Sequence, residues 1–473
     1  TYKGEVREGH MAWRLNVRMP RGVNPFLVNA DRYTPGTKYA PRRAIDGIRR
    51  DGTAKCRCIR VDADDHLYVT DDFIVTHNTY TMKAIVDAAQ NAGRAVALCA
   101  PTGKAAKKLE HSTNFPASTI HRLLKPQFEN GQFVFQFNAG NKLPFDLVIV
   151  DEFSMCDVNL FHSLLAAMPD HARLLLVGDH NQIPSVGAGA ILRDVLSAGE
   201  RAFPGAVHVL SRVVRQAGVL AQNTTAILDG VVVPTTCPAW AIVRSEDGHP
   251  RGVPGIVADM VEAIVTAPEP LEPFGRALDP AWDIQVISPM RKGPQGVYAL
   301  NAELQALRQR MLGNMPPPPV AENKQPRPLV GDRVIWTKND YDLDLYNGTQ
   351  AIVLEIRKGG AMKLLTEDDR EVEVTNDKRV FVELAYALTI HKCQGSEWPC
   401  VIMVGTSAHF IMHDRNLLYT GASRAAESLT IVGDWKGIRS FASRRRSHER
   451  RTLGRYLVNG WMPEGLASVE VAQ

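Results

Sequence analysis

Hydrophobic and polar positions follow regular periods along this chain. A helical period over residues 80–90 leads into an apolar run over residues 94–100, which predicts an amphipathic helix followed by a buried strand. Apolar runs at residues 145–150 and 172–177 each lead into an acidic residue. Strands that alternate with helices are typical of a mainly parallel α/β sheet, whose ligands bind at the carboxyl ends of the strands.

The same pattern returns in the second half of the chain. Three more apolar runs predict strands at residues 283–288, 401–405 and 428–433. Residues 330–383 instead alternate with a period of two around a turn at residues 347–348, which predicts a small inserted β-barrel. The proline-rich residues 315–319 predict a stiff linker in front of it.

Composition sets limits on the class of protein. The chain has 473 residues, of which 45% are hydrophobic and 22% charged, as in ordinary globular proteins. No apolar run approaches the ~20 residues of a membrane span. The seven cysteines are scattered without metal-ligand spacing, so we expect a cytoplasmic protein without a membrane partner. The net charge is +4, and the arginine-rich residues 439–455 are either a solvated helix face or a phosphate contact.

Phosphate chemistry is indicated, but its best-known motif is incomplete. A P-loop requires Gly-x-x-x-x-Gly-Lys followed by Ser or Thr, and the sequence has no complete copy. Gly103-Lys104 fails because Leu98 stands at the first glycine position and Ala105 at the hydroxyl position. We therefore expect Thr79 to supply the Mg²⁺-binding hydroxyl, while the glycines and the lysine come from an amino-terminal polypeptide.

Acidic residues follow two of the predicted strands. Asp151-Glu152 is the pattern of a Walker B pair, in which Asp151 holds Mg²⁺ and Glu152 activates the attacking water. An acidic pair after a strand is also common at a capped helix start. Gly178-Asp179, with Gln182 close behind, is less generic and favours the nucleotide interpretation.

The junction at residues 77–79 indicates a second kind of chemistry. The Asn78 side-chain amide can attack its own backbone carbonyl and cleave the chain, while His77 protonates the leaving amine. The Thr79 hydroxyl is a nucleophile that can accept an acyl group. The same triplet occurs by chance in polar turns, so the residues around it decide between the two interpretations.

Residues upstream of the junction favour the chemical interpretation. Residues 58–70 predict two strands around an Asp-Asp turn, and residues 71–78 end in the His-Asn pair. This region resembles the carboxyl-terminal part of an intein, and Cys58 with Thr76 resembles the class 3 pattern, in which an internal cysteine starts the reaction. The splicing residues that this resemblance implies are Cys58, His66, Thr76, His77, Asn78 and Thr79. The matching tryptophan of that class lies nearer the amino end of an intein, which we expect on the partner polypeptide that also carries the P-loop.

From Thr79 to about residue 433, successive motifs resemble those of superfamily 1 DNA helicases of the RecD-like group. These motifs are Ia at residues 100–106, Ib at 119–122, II at 151–152, III at 178–182, IV at 210–216, a further block at 288–293, V at 389–397 and VI at 419–425. The resemblance implies that Arg215 reaches the γ-phosphate and that Arg424 is an arginine finger. The residues implied to bind or hydrolyse ATP with Mg²⁺ are Thr79, Asp151, Glu152, Asp179, Gln182, Arg215, Gln394, Gly395, Glu397 and Arg424. Cys393 stands where the family commonly has Ser, which removes no charged group.

The same resemblance implies single-stranded and duplex DNA as partners and movement in the 5′-to-3′ direction. The residues implied to contact DNA are Pro101, Thr102, Gly103, Lys104, His121, Arg291, Thr389, His391 and Lys392. Such a motor holds its strand mostly through phosphate electrostatics and base stacking. Trp336, Tyr341 and Trp398 are either stacking residues or packing residues.

We therefore predict an α/β fold with two RecA-like parallel-sheet motor domains and an inserted small β-barrel, preceded by an all-β carboxyl-terminal intein fragment. The predicted domains are residues 1–78 for the intein fragment, 79–232 for the first motor domain, 233–329 with 384–460 for the second, 330–383 for the barrel and 461–473 for a tail. The predicted function is an ATP-dependent DNA helicase of repair or recombination, matured by splicing at Asn78 and Thr79. The alternative is a splicing-inactive, ATPase-dead fragment that only binds nucleic acid.

Overall fold

The computed structural model describes residues 11–13, 50–53, 78–129, 132–202, 205–210, 216, 218–245, 248–321 and 323–449. These residues fall into two compact units, divided between Met82 and Lys83, and each unit is described by itself. Among the helices in these ranges, none is long and apolar enough to cross a membrane.

Only short elements are described in the first unit. Strand β1 (Met11–Trp13) pairs with strand β2 (Arg50–Thr53) in antiparallel register. Helix α1 (Asn78–Asn91) begins at the predicted splice junction. Outside the described residues lie four predicted splicing residues, Cys58, His66, Thr76 and His77. Asn78 and Thr79 are described by their backbone alone, so the all-β intein fragment stays a prediction.

The second unit begins within α1, which ends at Asn91, and continues with a parallel four-stranded sheet. We call this sheet and the helices packed on it the first lobe. Its elements are β3 (Val96–Ala100), α2 (Gly103–Thr113), β4 (Ala117–Thr119), α3 (Ile120–Leu124), β5 (Pro126–Glu129), β6 (Gln132–Phe135), β7 (Leu147–Val150), α4 (Val158–Ala167), β8 (Arg173–Leu176) and α5 (Ile191–Ala202). The sheet order is β4-β3-β7-β8, while β5 and β6 form a separate hairpin. Every residue of β3 is buried, as expected of a central strand covered on both faces.

The second lobe starts next and is interrupted by an insertion. Its first elements are α6 (Gly218–Ala226), β9 (Trp240–Arg244), α7 (Gly252–Val265), β10 (Ile284–Ser288) and α8 (Val297–Met311). The insertion holds β11 (Arg333–Trp336), β12 (Gln350–Ile356), β13 (Met362–Thr366), β14 (Glu371–Val374) and β15 (Val382–Leu384). We call it the inserted sheet, because its antiparallel order β14-β13-β12-β11-β15 leaves β14 and β15 unpaired with each other within residues 323–449. Alternating burial in β13 and β14 confirms the predicted period of two, and closure into a barrel stays a prediction.

The chain then returns to complete the second lobe. The remaining elements are β16 (Ala387–Thr389), β17 (Trp398–Val404), α9 (Arg415–Ala422), β18 (Ala425–Gly433) and α10 (Trp435–Ser443). The parallel order β16-β10-β17-β18-β9 places β17 near the middle, and nearly all of its residues are buried. Both lobes are therefore parallel α/β layers, in agreement with the alternation of strands and helices in the sequence.

Two buried charged residues attach the inserted sheet to the second lobe. Asp332 accepts hydrogen bonds from Gln305 and Gln309 of α8, at 2.5 and 2.9 Å. Arg333 is fully buried and donates to the Ile284 carbonyl oxygen of β10 at 2.7 Å. Burial raises the pKa of Asp332 and lowers the pKa of Arg333 to about 10. Because buried charges are tolerated only with such partners, these bonds fix how the sheet joins the lobe.

Candidate nucleotide and DNA site

The predicted Walker B pair lies at the carboxyl end of β7. The Asp151 N–H donates to the Cys99 carbonyl oxygen of β3 at 2.9 Å. Asp151 Oδ1 accepts from the Glu152 N–H at 2.8 Å, and both side chains are half-buried. Glu152 has φ 48° and ψ 37°, the left-handed region. A non-glycine residue held there costs about 1–3 kcal/mol and points, as a hypothesis, to a functional constraint.

Strand β8 brings another acidic residue to the same edge of the sheet. Because β8 pairs in parallel with β7, Asp179 follows its strand at the same end as Asp151. A Cβ atom on Gly178 would lie 3.1 Å from the backbone nitrogen of Phe153, so this close approach to the turn after β7 favours glycine. Asp179 Oδ1 accepts from the Asn181 N–H at 2.8 Å, which orients the carboxylate.

Residues 182 and 183 connect the first lobe to the second. The Ile183 N–H donates to Thr420 Oγ1 on α9 at 2.9 Å, and the Ile183 carbonyl oxygen accepts from Gln394 Nε2 at 3.2 Å. The Gln182 carbonyl oxygen accepts from Asn416 Nδ2, also on α9, at 3.2 Å. The predicted motif III is therefore held by side chains from two segments of the opposite lobe.

The Gln182 side chain has an unsatisfied acceptor. Its Oε1 is buried and has no hydrogen-bond partner among the described residues. A buried amide oxygen in this state is destabilising until a donor reaches it. This amide and the carboxylates of Asp151 and Asp179 carry oxygen atoms, the ligand type that Mg²⁺ prefers. Among the described residues, no three His, Cys, Asp or Glu side chains form a metal-binding group.

Arg424 is buried within the second lobe. Its Nε donates to the Thr420 carbonyl oxygen and its Nη1 to the Ser396 carbonyl oxygen, each at 3.1 Å. Its Nη2 donates to Ser423 Oγ at 3.1 Å. These three acceptors are neutral oxygen atoms. The role of an arginine finger stays a prediction.

The predicted motif IV is described only at its two ends, Leu210 and Gln216. Arg215 lies outside the described residues, but its neighbour Gln216 is buried. Gln216 Nε2 donates to the Ala422 and Ala425 carbonyl oxygens, at 2.9 and 2.7 Å. These carbonyls flank Arg424, so Gln216 holds motif IV against motif VI. No sequence pattern indicates this role apart from the position of Gln216 inside residues 210–216.

Gly395 and Glu397, which were also predicted to bind the nucleotide, lie next to helix α2 of the first lobe. Gly395 has φ 76°, and a Cβ atom there would lie 3.9 Å from the Ala105 side chain. Glu397 Oε2 lies 3.6 Å from Lys108 Nζ. Both residues thus lie at the contact between the lobes, while their nucleotide roles stay predictions.

Four of the five predicted DNA-contacting residues of the first lobe lie at the start of α2. They are Pro101, Thr102, Gly103 and Lys104, and the Thr102 hydroxyl caps the helix. A Cβ atom on Gly103 would lie 2.6 Å from Tyr346 Cδ1 of the insertion, so glycine permits this contact. Lys104 Nζ lies 2.9 Å from Glu367 Oε1. The inserted sheet therefore contacts the helix expected to bind DNA.

Only one of the three candidate stacking residues is accessible. Tyr341 is 54% exposed, and the Arg122 guanidinium lies 5.4 Å from its ring centroid. Trp336 and Trp398 are only 2% and 5% exposed. The stacking interpretation is wrong for both tryptophans, because they pack in the core. His121 is exposed beside the hairpin, where its ring centroid lies 6.1 Å from that of Phe135.

The predicted DNA-contacting cations of the second lobe share one carboxylate. Arg291 Nη2 lies 2.9 Å from Glu383 Oε1, and Lys392 Nζ lies 2.6 Å from Glu383 Oε2. Thr389 Oγ1 accepts from the Lys392 N–H at 3.3 Å and starts the turn that also carries His391. Sequence reasoning missed Glu383, which has no signature apart from its place on a predicted strand.

Two protein families match separate parts of the chain. The AAA domain family matches residues 76–232, and the UvrD-like helicase C-terminal domain family matches residues 384–432. The second match covers β16, β17, α9 and β18, which carry the predicted motifs V and VI. The chain is therefore similar to AAA domains in its first part and to UvrD-like helicases in its second part.

Individual proteins of similar sequence give a more specific comparison. The ATP-dependent RecD2 DNA helicase of Deinococcus radiodurans is 38% identical over 382 residues, which are 80% of this chain and 48% of that protein. The RecBCD enzyme subunit RecD of Mycobacterium tuberculosis is 30% identical over 390 residues, 74% of this chain and 62% of that protein. The chain thus spans about half the length of the first relative and under two thirds of the second. These results support the resemblance to RecD-like superfamily 1 helicases.

A solved structure is similar to this chain at a lower sequence identity. The crystal structure of Pif1 helicase from Bacteroides in complex with ADP-AlF3 and ssDNA is 16% identical, with 78% of this chain and 89% of that chain covered and a TM-score of 0.45. The fold assignment rests on the two parallel sheets themselves.

Proposed function

We propose that the residues from Thr79 onward form the motor of an ATP-dependent DNA helicase of repair or recombination. The observation that carries the proposal is the contact of residues 182 and 183 with Gln394, Asn416 and Thr420 of the opposite lobe, beside the acidic ends of β7 and β8. Because the same residues border both the nucleotide edge and the second lobe, hydrolysis at that edge can change how the lobes meet.

At the nucleotide edge, each residue has a distinct proposed task. Mg²⁺ supplies neutralisation of phosphate charge, and Asp151, Asp179 and the Thr79 hydroxyl would hold it directly or through water. Glu152 accepts the proton of the attacking water. Gln182 Oε1 receives a hydrogen bond from that water or its neighbour, which satisfies the buried acceptor. Arg424 and Arg215 balance the negative charge of the transferring phosphoryl group.

The proposed path of single-stranded DNA runs over the cations at the contact between the lobes and the inserted sheet. Lys104, Arg291 and Lys392 provide phosphate contacts, and exposed Tyr341 provides a ring on which a base can stack. We propose movement in the 5′-to-3′ direction because the motifs resemble those of the RecD-like group. Duplex DNA is the proposed substrate for unwinding.

The segment before Thr79 is proposed to remove itself by splicing. Asn78 would cyclise, His77 would assist, and Thr79 would receive the incoming polypeptide before serving as the hydroxyl of the P-loop. Sequence alone supports this step. Its partner is an amino-terminal polypeptide that carries the intein start and the P-loop glycines and lysine.

Substitution of Glu152 tests the motor proposal. The joined protein, in which Thr79 follows the P-loop segment of the partner, is prepared by splicing or by direct gene fusion. Glu152→Gln should abolish ATP hydrolysis stimulated by single-stranded DNA, because the amide cannot accept the proton. Glu262→Gln on the exposed surface of α7 is the control and should retain wild-type turnover. Full turnover in Glu152→Gln would show that another carboxylate is the base.

The second candidate is a nucleic-acid-binding chain without ATPase activity, favoured by the incomplete P-loop motif in the sequence. A joined wild-type protein that binds single-stranded DNA but hydrolyses no ATP would favour it. Splicing is tested separately, by mixing the chain with the partner and weighing the products. A released fragment that ends at Asn78, absent from Asn78→Ala, supports splicing, and an unchanged mass contradicts it.

A further inference from the structure

Thr420 on α9 makes hydrogen bonds both to the first lobe and within the second lobe. Its hydroxyl oxygen accepts from the Ile183 N–H at 2.9 Å and donates to the Asn416 carbonyl oxygen at 2.7 Å. Its carbonyl oxygen accepts from Arg424 Nε at 3.1 Å. Thr420 is thus in contact with both motif III of the first lobe and the predicted arginine finger of the second, and its side chain is fully buried.

The hydroxyl is the group that makes this arrangement possible. A threonine in a helix can donate to the carbonyl oxygen four residues earlier, which fixes the hydroxyl proton and directs a lone pair away from the helix. That lone pair faces the Ile183 N–H, a backbone donor on the other lobe. Removing the hydroxyl would leave this donor without a partner in a buried contact, which is costly.

The two bonds join groups that lie next to the proposed chemistry. Ile183 directly follows Gln182, whose Oε1 is buried and has no hydrogen-bond partner among the described residues. Arg424 lies one helical turn beyond Thr420, with Nε on the Thr420 carbonyl. A shift of residues 182–183 therefore reaches Arg424 through one intervening residue.

We propose that Thr420 is a positioning residue that couples motif III to Arg424 across the contact between the lobes. This inference rests on the proposed motor function. The coupling sets the placement of the arginine when the lobes close, so it acts on the hydrolytic step rather than on ATP affinity.

Two substitutions separate the hydroxyl from the methyl group. Thr420→Val keeps the shape and removes the hydroxyl, whereas Thr420→Ser keeps the hydroxyl and removes the methyl group. In the joined protein, Thr420→Val should lower the kcat of DNA-stimulated ATP hydrolysis roughly tenfold, with KM for ATP within about twofold of wild type, as expected for loss of a buried hydrogen bond used in the transition state. Thr420→Ser should retain wild-type kcat.

If Thr420 acted through packing alone, the order of kcat in the two variants would be reversed. If Thr420→Ser were impaired and Thr420→Val active, the methyl group would be the important feature and the inference would be overturned. A double-mutant cycle adds a second discriminator, since Thr420→Val should have no further effect on kcat in an Arg424→Ala background. Additive losses would show that Thr420 acts independently of Arg424.

Amide hydrogen exchange tests the bond itself in the chain as it stands. The Ile183 amide should exchange faster in Thr420→Val than in wild type and at the wild-type rate in Thr420→Ser. Equal exchange in all three proteins would overturn the inference. Absence of DNA-stimulated hydrolysis in joined wild-type protein would instead overturn the motor function, so the two failures are distinguishable.

Discussion

Lys104 of the first lobe and Glu367 of the inserted sheet form an ion pair, with Nζ 2.9 Å from Oε1. Beside them, Lys107 pairs with Asp344 and Asp368 at 3.1 and 3.2 Å. These lysines lie on α2, the helix that the sequence predicts to contact DNA. A phosphate group that binds them must therefore displace carboxylates of the inserted sheet.

The first prediction concerns this competition. Glu367→Gln should tighten binding of single-stranded DNA roughly two- to fivefold, because a partly exposed ion pair is worth about 0.2–1 kcal/mol. Fluorescence anisotropy with a labelled oligonucleotide at low and high salt measures the effect, which should shrink as salt rises. Glu373→Gln is the matched control, since its carboxylate pairs with Arg357 inside the inserted sheet. Unchanged affinity in Glu367→Gln would mean that Lys104 does not contact phosphate.

A second prediction concerns the carboxylate shared by Arg291 and Lys392. Each cation that contacts phosphate contributes about 0.7 to the slope of log affinity against log salt for a single strand. Arg291→Ala and Lys392→Ala should each reduce the slope by about this amount, and Glu383→Gln should raise affinity without lowering the slope. Salt titrations of DNA binding measure all three. A wild-type slope in both alanine variants would place the strand elsewhere.

The sequence predicted the strands whose residues are buried on both faces. The apolar run at residues 145–150 became β7, and the run at residues 283–288 became β10. The edge strand β8 was also predicted, from the apolar run at residues 172–177, although its residues are only partly buried or exposed. Strand β9 and helix α7 were missed, and α7 begins with Gly252, which is a poor helix former.

The candidate site was predictable in its motifs but not in its contacts. The order of Asp151, Asp179 and Gln182 along apolar strands located the nucleotide edge. The bond between Ile183 and Thr420 joins residues 237 positions apart, and no local pattern reports such a pairing. Glu383 was missed for the same reason, because a carboxylate on a strand resembles any polar surface residue until its partners are known.

A third prediction uses the left-handed backbone of Glu152. Glu152→Gly should raise the unfolding free energy by about 1 kcal/mol, because glycine adopts positive φ without strain. The same variant should lose DNA-stimulated hydrolysis in the joined protein. Thermal unfolding of the chain measures the first effect, and Glu152→Gln, which keeps the strained backbone, should unfold as wild type does. Equal stability of Glu152→Gly and wild type would mean that the turn is relaxed in solution.

A fourth prediction concerns pH and a buried histidine of the second lobe. His409 is 3% exposed, and burial, with a contribution from nearby His413, lowers the pKa of His409 from 6.5 to about 4. Between these two values the unfolded chain binds a proton that the folded chain does not. Stability should therefore be constant above pH 6.5 and fall as the pH drops towards 4, by roughly 2 kcal/mol near pH 5.

Replacing this histidine should remove most of that pH dependence. Thermal unfolding at about pH 7.5 and about pH 5 should show a smaller difference in His409→Gln than in wild type, because glutamine does not titrate in this range. The exposed His111, changed to glutamine, is the control and should leave the wild-type difference intact. His413, whose pKa burial also lowers, accounts for the acid sensitivity that persists. If His409→Gln lost as much stability on acidification as wild type, the proton would be taken up elsewhere and the neutral, buried state of His409 would be the wrong assignment.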